Sequence, residues 1–150
     1  MKRRKIRSLS VSEIGMGCMG FSHGYGQVPG AGYAEEAIRE AFGYGCNFFD
    51  TAEGYGKELY YPGHNEEIVG RAVRGFRNEV VIATKLHIRP EAVEDCGSVY
   101  AAIRRHLERS LKNLQTDYVD LYYLHRINME VDYLEVAHTM GRLIQEGLVR

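Results

Sequence analysis

The chain has 150 residues, of which 45% are hydrophobic and 26% charged, so it reads as one globular domain of ordinary size. A formal net charge of -1 gives no electrostatic case for a nucleic-acid or membrane-surface partner. The basic start MKRRKIR runs into Ser8, Ser10, Ser12 and Glu13 rather than an apolar stretch, so neither a signal peptide nor a membrane span is expected.

In chain order, Lys5–Arg7 and Ser10–Val11 predict a small hairpin turning at Ser8 and Leu9, within an N-terminal segment 1–12. Residues 13–150 then read as four strand–helix units. A first short strand is expected at Glu13–Gly17, followed by a Gly-rich loop over Gly20–Gly32. Ala34, Ala37, Ile38, Ala41 and Phe42 fall at helical spacing, which predicts a helix over Tyr33–Tyr44 stopped by Gly45. Asn47–Asp50 reads as a strand, Thr51–Asn65 as a polar loop, and Ile68 to Phe76 as the second helix. Val80–Lys85 is β-branched and apolar on both faces, as expected of a strand buried in a parallel sheet. Ser98 suits an N-cap, and Ile103, Leu107, Leu111 and Leu114 stripe a third helix. Tyr118–Leu124 predicts the fourth strand. Tyr133 to about Glu146 predicts a helix ended by Gly147, and 148–150 resembles the start of a fifth strand.

The alternation implies a parallel sheet with crossover helices. The intervals between Met16, Asp50, Lys85 and His125 are nearly even. Even units suit a (β/α)8 TIM barrel, at roughly 30 residues per unit, so four units make a half-barrel. A doubly wound open sheet is the rival architecture.

Gly15–Gly20 (GMGCMG) matches the GxGxxG pattern. In a dinucleotide-binding fold a helix starts within that motif. Here Phe21–Gly32 carries further glycines and Pro29, which no helix of that kind tolerates, so the motif reads as a tight barrel entry. Asp50, Lys85 and His125 each end a predicted strand. Alone, each has a bland reading as turn residue, solvated terminus or structural histidine. Strand C-termini share one face in a parallel sheet, and that face carries the chemistry. Tyr55, between Gly54 and Gly56, leaves the same face.

Phe48–Gly56 (FFDTAEGYG) resembles the aldo-keto reductase signature around the catalytic tyrosine, and Asn65–Gly70 (NEEIVG) resembles the segment that follows it. Ile82–Lys85 (IATK) is similar to the catalytic-lysine strand, Ser110–Leu121 (SLKNLQTDYVDL) to a second signature, and Leu124–Arg126 (LHR) to the histidine site. The resemblance runs along essentially the whole chain, over the first half of the family's barrel. It implies a catalytic tetrad of Asp50, Tyr55, Lys85 and His125. It also implies cofactor contacts from Asp50, Gly17 and Met19. The implied reaction is reduction of an aldehyde or ketone to an alcohol with NADPH, NADH being left open.

Residue chemistry is consistent with this. Charge builds on a carbonyl oxygen as hydride arrives, and a proton donor must meet it. A phenol near pKa ~10 needs a neighbouring cation to serve at neutral pH. Lys85 would be that cation, held by Asp50, while His125 would hydrogen-bond the carbonyl oxygen.

His23, His64, His87, His106 and His138 lack metal-ligand spacing and are read as structural or solvated, with His87 also placed to line the site; no metal is expected. Phe21 and Tyr25 read either as an apolar substrate wall or as loop packing. Cys18, Cys46 and Cys96 are odd in number and form no CxxC, which points to a reducing cytoplasm. Four units leave sheet edges at the first and fourth strands, and the inward side chains of Ile14, Phe48, Val81 and Leu121 lack an opposite wall. The 150 residues by themselves are therefore expected to self-associate and to be inactive. A non-catalytic binding or subunit module is the alternative reading.

Overall fold

The computed structural model of the chain describes residues 1–24 and 26–150. Strands β1 (Arg3–Ile6) and β2 (Leu9–Ser12) form an antiparallel hairpin in which Ile6 pairs with Leu9. The turn is therefore Arg7-Ser8, one residue earlier than expected. Leu9 is a ladder residue, and Arg7 takes a positive φ of 51°, as tight hairpin turns prefer.

β3 (Met16–Gly17), β4 (Phe48–Asp50), β5 (Val81–Leu86) and β6 (Leu121–Leu124) make one parallel sheet in chain order. β3 is shorter than the expected Glu13–Gly17, because the Glu13 N–H donates back to Lys2 O and extends the hairpin instead. β6 begins at Leu121 rather than Tyr118. Upstream of it, Val119 forms an isolated parallel bridge with Val149, in the segment expected to resemble the start of a fifth strand. The edge beyond β6 is thus partly occupied at its start, and not fully open as four units alone would leave it.

Among the described residues five α-helices accompany the sheet: α1 (Ala31–Gly43), α2 (His64–Val73), α3 (Pro90–Cys96), α4 (Val99–Leu114) and α5 (Tyr133–Gln145). α2 starts earlier than its apolar stripe suggested, at a Gly63 cap in the left-handed region (φ 94°). α3 was not anticipated. Pro90 opens it, where a missing N–H costs nothing, and Gly97 at φ 76° ends it within two turns. Ser98 caps α4 as expected, its hydroxyl accepting from Ala101 N at 3.1 Å. α1 packs on α2, α2 on α4, and α4 on α5. Sequential strands with consecutive helices side by side give a singly wound sheet. A doubly wound sheet needs a reversal in strand order and helices on both faces. The architecture is the first half of a (β/α)8 barrel.

Pairing register sorts the side chains. Phe48 sits beside Val81, Asp50 beside Ala83, Ala83 beside Leu121, and Lys85 beside Tyr123, so these share the inner face. The alternate residues Phe49, Ile82 and Leu86 face the helices and are fully buried in the main core. Inner Phe48 and Leu121 are half-buried, Val81 is buried, and Tyr123 is 43% exposed. Ile14 lies ahead of β3 and is 64% exposed.

Two contacts fix the frame. Asn47 Oδ1 accepts from Ser12 N (2.6 Å), its backbone N–H donates to Ser12 Oγ (3.0 Å) and its Nδ2 donates to Ser10 O (3.0 Å), tying the hairpin to the start of β4. At Gly70 of α2, an added Cβ would lie 2.5 Å from the Leu114 carbonyl oxygen, so helix backbones α2 and α4 touch directly there.

Candidate functional site

Asp50 closes β4, Lys85 is the penultimate residue of β5, and His125 follows β6, its N–H donating to Leu86 O at 2.8 Å. All three therefore stand at the C-terminal end of the sheet. Tyr55 joins them because the loop after β4 runs along the end of β5. Thr51 N donates to Ala83 O (2.9 Å), Glu53 N to Lys85 O (3.2 Å), and Tyr55 N to Ala52 O (3.1 Å). Of the two flanking glycines only Gly56 has a positive φ, 94°, and a Cβ there would be 3.0 Å from Ser22 Cβ; Gly54 has no such requirement.

The Lys85 ammonium is the hub. It donates to the Asp50 carboxylate, to Thr51 O at 2.8 Å and to the Tyr55 hydroxyl at 3.2 Å. Three donors meet three acceptors, which fixes the direction of a long, flexible side chain that is 15% exposed. Asp50 and Thr51 hold the cation, and the cation faces the phenol oxygen. The His125 ring stands edge-on to Tyr55, centroids 5.6 Å apart. Partial desolvation, then the charges of Lys85 and Arg126, lower the His125 pKa below the ordinary histidine value, so the ring is neutral at pH 7.

A buried polar knot holds the loops beneath the site. Thr51 donates to Asn65 Oδ1 (2.7 Å), and Asn65 Nδ2 donates to Cys18 O (2.9 Å) and Ser22 Oγ (2.8 Å). Glu66 is fully buried and accepts from Thr84 (2.6 Å) and Asn113 (2.9 Å), joining α2 to β5 and α4. Burial pushes its carboxyl up against the pull of those donors. Burial and the Asp50 charge push the Cys18 thiol up to about 12, so it is inert as a nucleophile.

A cleft of about 390 Å³ opens over Tyr55 and His125, with Met19 and His87 on its walls. Gly17 pairs with Asp50 and borders a separate groove on the inner face that also contains Phe48 and Tyr123. Nothing lies within 4 Å of where a Gly17 Cβ would stand, so the space at Gly17 is open. Phe21 packs against the core rather than lining the cleft, and Tyr25 lies outside the described residues. Among the described residues no three His, Cys, Asp or Glu side chains gather to hold a metal ion.

The sequence reading missed Glu53, His106 and Arg109. Glu53 accepts from His87 N (2.8 Å) and binds His106 Nδ1 (2.7 Å), linking the tyrosine loop to α4. His106 was read as structural or solvated, yet it is a cleft wall residue, as are Arg109 and Asn113. The signal was present: these three fall at i, i+3 and i+7 and place one polar stripe on a helix that is otherwise apolar inside.

The profile of the aldo/keto reductase family matches residues 13–150. The chain is 36% identical over 159 residues to the uncharacterized oxidoreductase YqkF of Bacillus subtilis (100% of this chain, 47% of that one). It is 34% identical over 148 residues to probable aldo-keto reductase 1 of Glycine max (96% and 41%). Among solved structures, the holo form of a Bacillus halodurans aldo-keto reductase superposes with a TM-score of 0.81 at 33% identity (100% and 48%). A Klebsiella pneumoniae aldo-keto reductase in complex with NADPH gives 0.79 at 32% (100% and 48%). The chain spans about half the length of the relatives it matches. With the profile matched over most of its length and the half-barrel shared, the chain belongs to the aldo/keto reductase family.

Proposed function

We propose that the protein reduces an aldehyde or ketone to an alcohol with NADPH, and that Tyr55 delivers the proton. One observation carries this reading: a single ammonium, on Lys85, contacts Asp50, Thr51 O and the Tyr55 hydroxyl together. A cation beside the phenol favours loss of its proton, and Asp50 keeps that cation charged and aimed. As negative charge grows on the substrate oxygen, Tyr55 donates its proton there. The neutral His125 ring offers an N–H to the same oxygen and orients the carbonyl.

The nicotinamide supplies the hydride when bound. Asp50, Gly17 and Met19 are the residues here that would hold it, and the uncovered surface at Gly17 fits a planar ring. NADPH is favoured over NADH by two relatives: a Schizosaccharomyces pombe aldo-keto reductase named with NADP(+) and the Klebsiella enzyme with NADPH. The three cysteines are free thiols, which suits a cytoplasmic setting. No helix among the described residues is long and apolar enough to cross a membrane.

The test is Tyr55→Phe in the intact protein. Turnover of an aldehyde is expected to fall by about 10²–10⁴-fold, the usual worth of general acid catalysis. NADPH affinity should stay near that of the parent. Near-parental turnover would remove Tyr55 from the chemistry. The isolated 150 residues are a separate case. We propose that they are inactive and self-associate through the open sheet edge at β3 and the exposed inner face. Light scattering reads this directly, and a monomer that turns over substrate would contradict it.

A further inference from the structure

Several arginines of this fold have a carboxylate partner. Arg39, Arg71, Arg77, Arg104, Arg142 and Arg150 each lie within 4.0 Å of an Asp or Glu oxygen. The cleft over Tyr55 gathers others. Arg89, Arg109 and Arg126 line it, together with Lys57. They arrive from three separate places: the cap of α3, the middle of α4, and the position after His125. Among the described residues none of the three arginines has a carboxylate within salt-bridge distance. The two acids on the same walls are already engaged. Glu53 is bound by His106 and the His87 N–H, and Glu58 lies 3.6 Å from His23 and 3.8 Å from Lys57.

Converging guanidiniums without a structural partner repel one another, and a concave wall focuses their field outward. A guanidinium presents a planar fork that matches a carboxylate or phosphate oxygen pair. We infer that the cleft takes a carbonyl substrate bearing an anionic group, a carboxylate above all. Arg89, Arg109 and Arg126 receive that group while the carbonyl meets Tyr55 and His125. This rests on the reductase reading proposed above and adds the substrate's charge.

The probes are 4-carboxybenzaldehyde and its neutral isostere 4-formylbenzamide, with the intact protein and NADPH. Binding is measured by calorimetry at low and high salt, and kcat/KM by NADPH oxidation. The acid should bind and react about tenfold or more better than the amide, the scale of one hydrogen-bonded charge contact, and added salt should shrink the preference. Arg109→Ala and Arg89→Ala should each narrow the acid-to-amide ratio. Arg104→Ala, on the same helix but paired with Glu108 and Glu146, should leave the ratio intact. Equal binding of the two aldehydes overturns the inference, whatever the turnover. So does a pair of arginine variants that raise the KM for NADPH and leave the ratio alone, since the arginines would then serve the cofactor. Preferred binding of the acid without turnover of either aldehyde keeps the anion site and removes the reductase reading.

Discussion

The two faces of the sheet are built to different ends. Phe49, Ile82 and Leu86 on the outer face are fully buried beneath helices that pack on one another. The inner face, one residue out of phase, carries Asp50, Lys85 and Tyr123, and remains open enough for Tyr123 to be 43% exposed. Stability is therefore concentrated on one side of a single layer of backbone and the proposed chemistry on the other. A one-residue change of register would exchange them. The groups proposed to react sit at the rim of the inner face, where a strand end can present a side chain without taking it from the core.

This contrast is open to direct attack. Ile82→Ala removes a fully buried side chain from the outer face, and it should cost about 3 kcal/mol of unfolding free energy, read as a lower denaturant midpoint with unchanged slope. A smaller effect is expected from acid. His125 and His64 both take up protons less readily than ordinary histidines. The cause is desolvation first in each, followed by Lys85 for His125 and Arg71 for His64. In the unfolded chain both titrate near pH ~6.5. The unfolded state then binds more protons just below that pH, so stability falls as pH drops through this window and is regained above it. His125→Gln should flatten part of that acid limb in a stability–pH profile and leave the His64 share. A profile unchanged by the substitution would mean that the ring is not held neutral by the fold. Smallest of all, Tyr123→Ala on the inner face should shift stability by no more than about 0.5 kcal/mol in the 150-residue chain. A loss comparable to that of Ile82→Ala would show the inner face to be as structural as the outer.

Much of this was legible in the residues, for physical reasons. Val80–Lys85 is apolar on both faces because a central strand is covered on both, and its only charged residue had to be a terminus or a reacting group. Asp50 and His125 followed from the same logic. The boundaries were less legible. Nothing local told that Glu13 would pair with Lys2 rather than extend β3, since that is a contact across the chain. α3 escaped because seven residues are too few to show a helical period. Glu53 and His106 were invisible singly. Each is an ordinary polar residue until the fold brings the loop after β4 against α4, 53 positions later. The arginine-lined cleft was hidden likewise, since Arg89, Arg109 and Arg126 share no local motif.

The backbone contact at Gly70 also sets a dimension of the cleft. α4 carries His106 and Arg109 on one wall, while Gly63, where α2 begins, and the Tyr55 loop form the other. At Gly70, α2 meets the backbone of α4 with no side chain between them, and at Gly63 an added Cβ would fall 2.3 Å from the Asn113 Nδ2 of α4. The gap between the walls is thus gauged by the peptide chain itself. A wall residue of different length would therefore change the width of the cleft more readily than a sliding of one helix along the other.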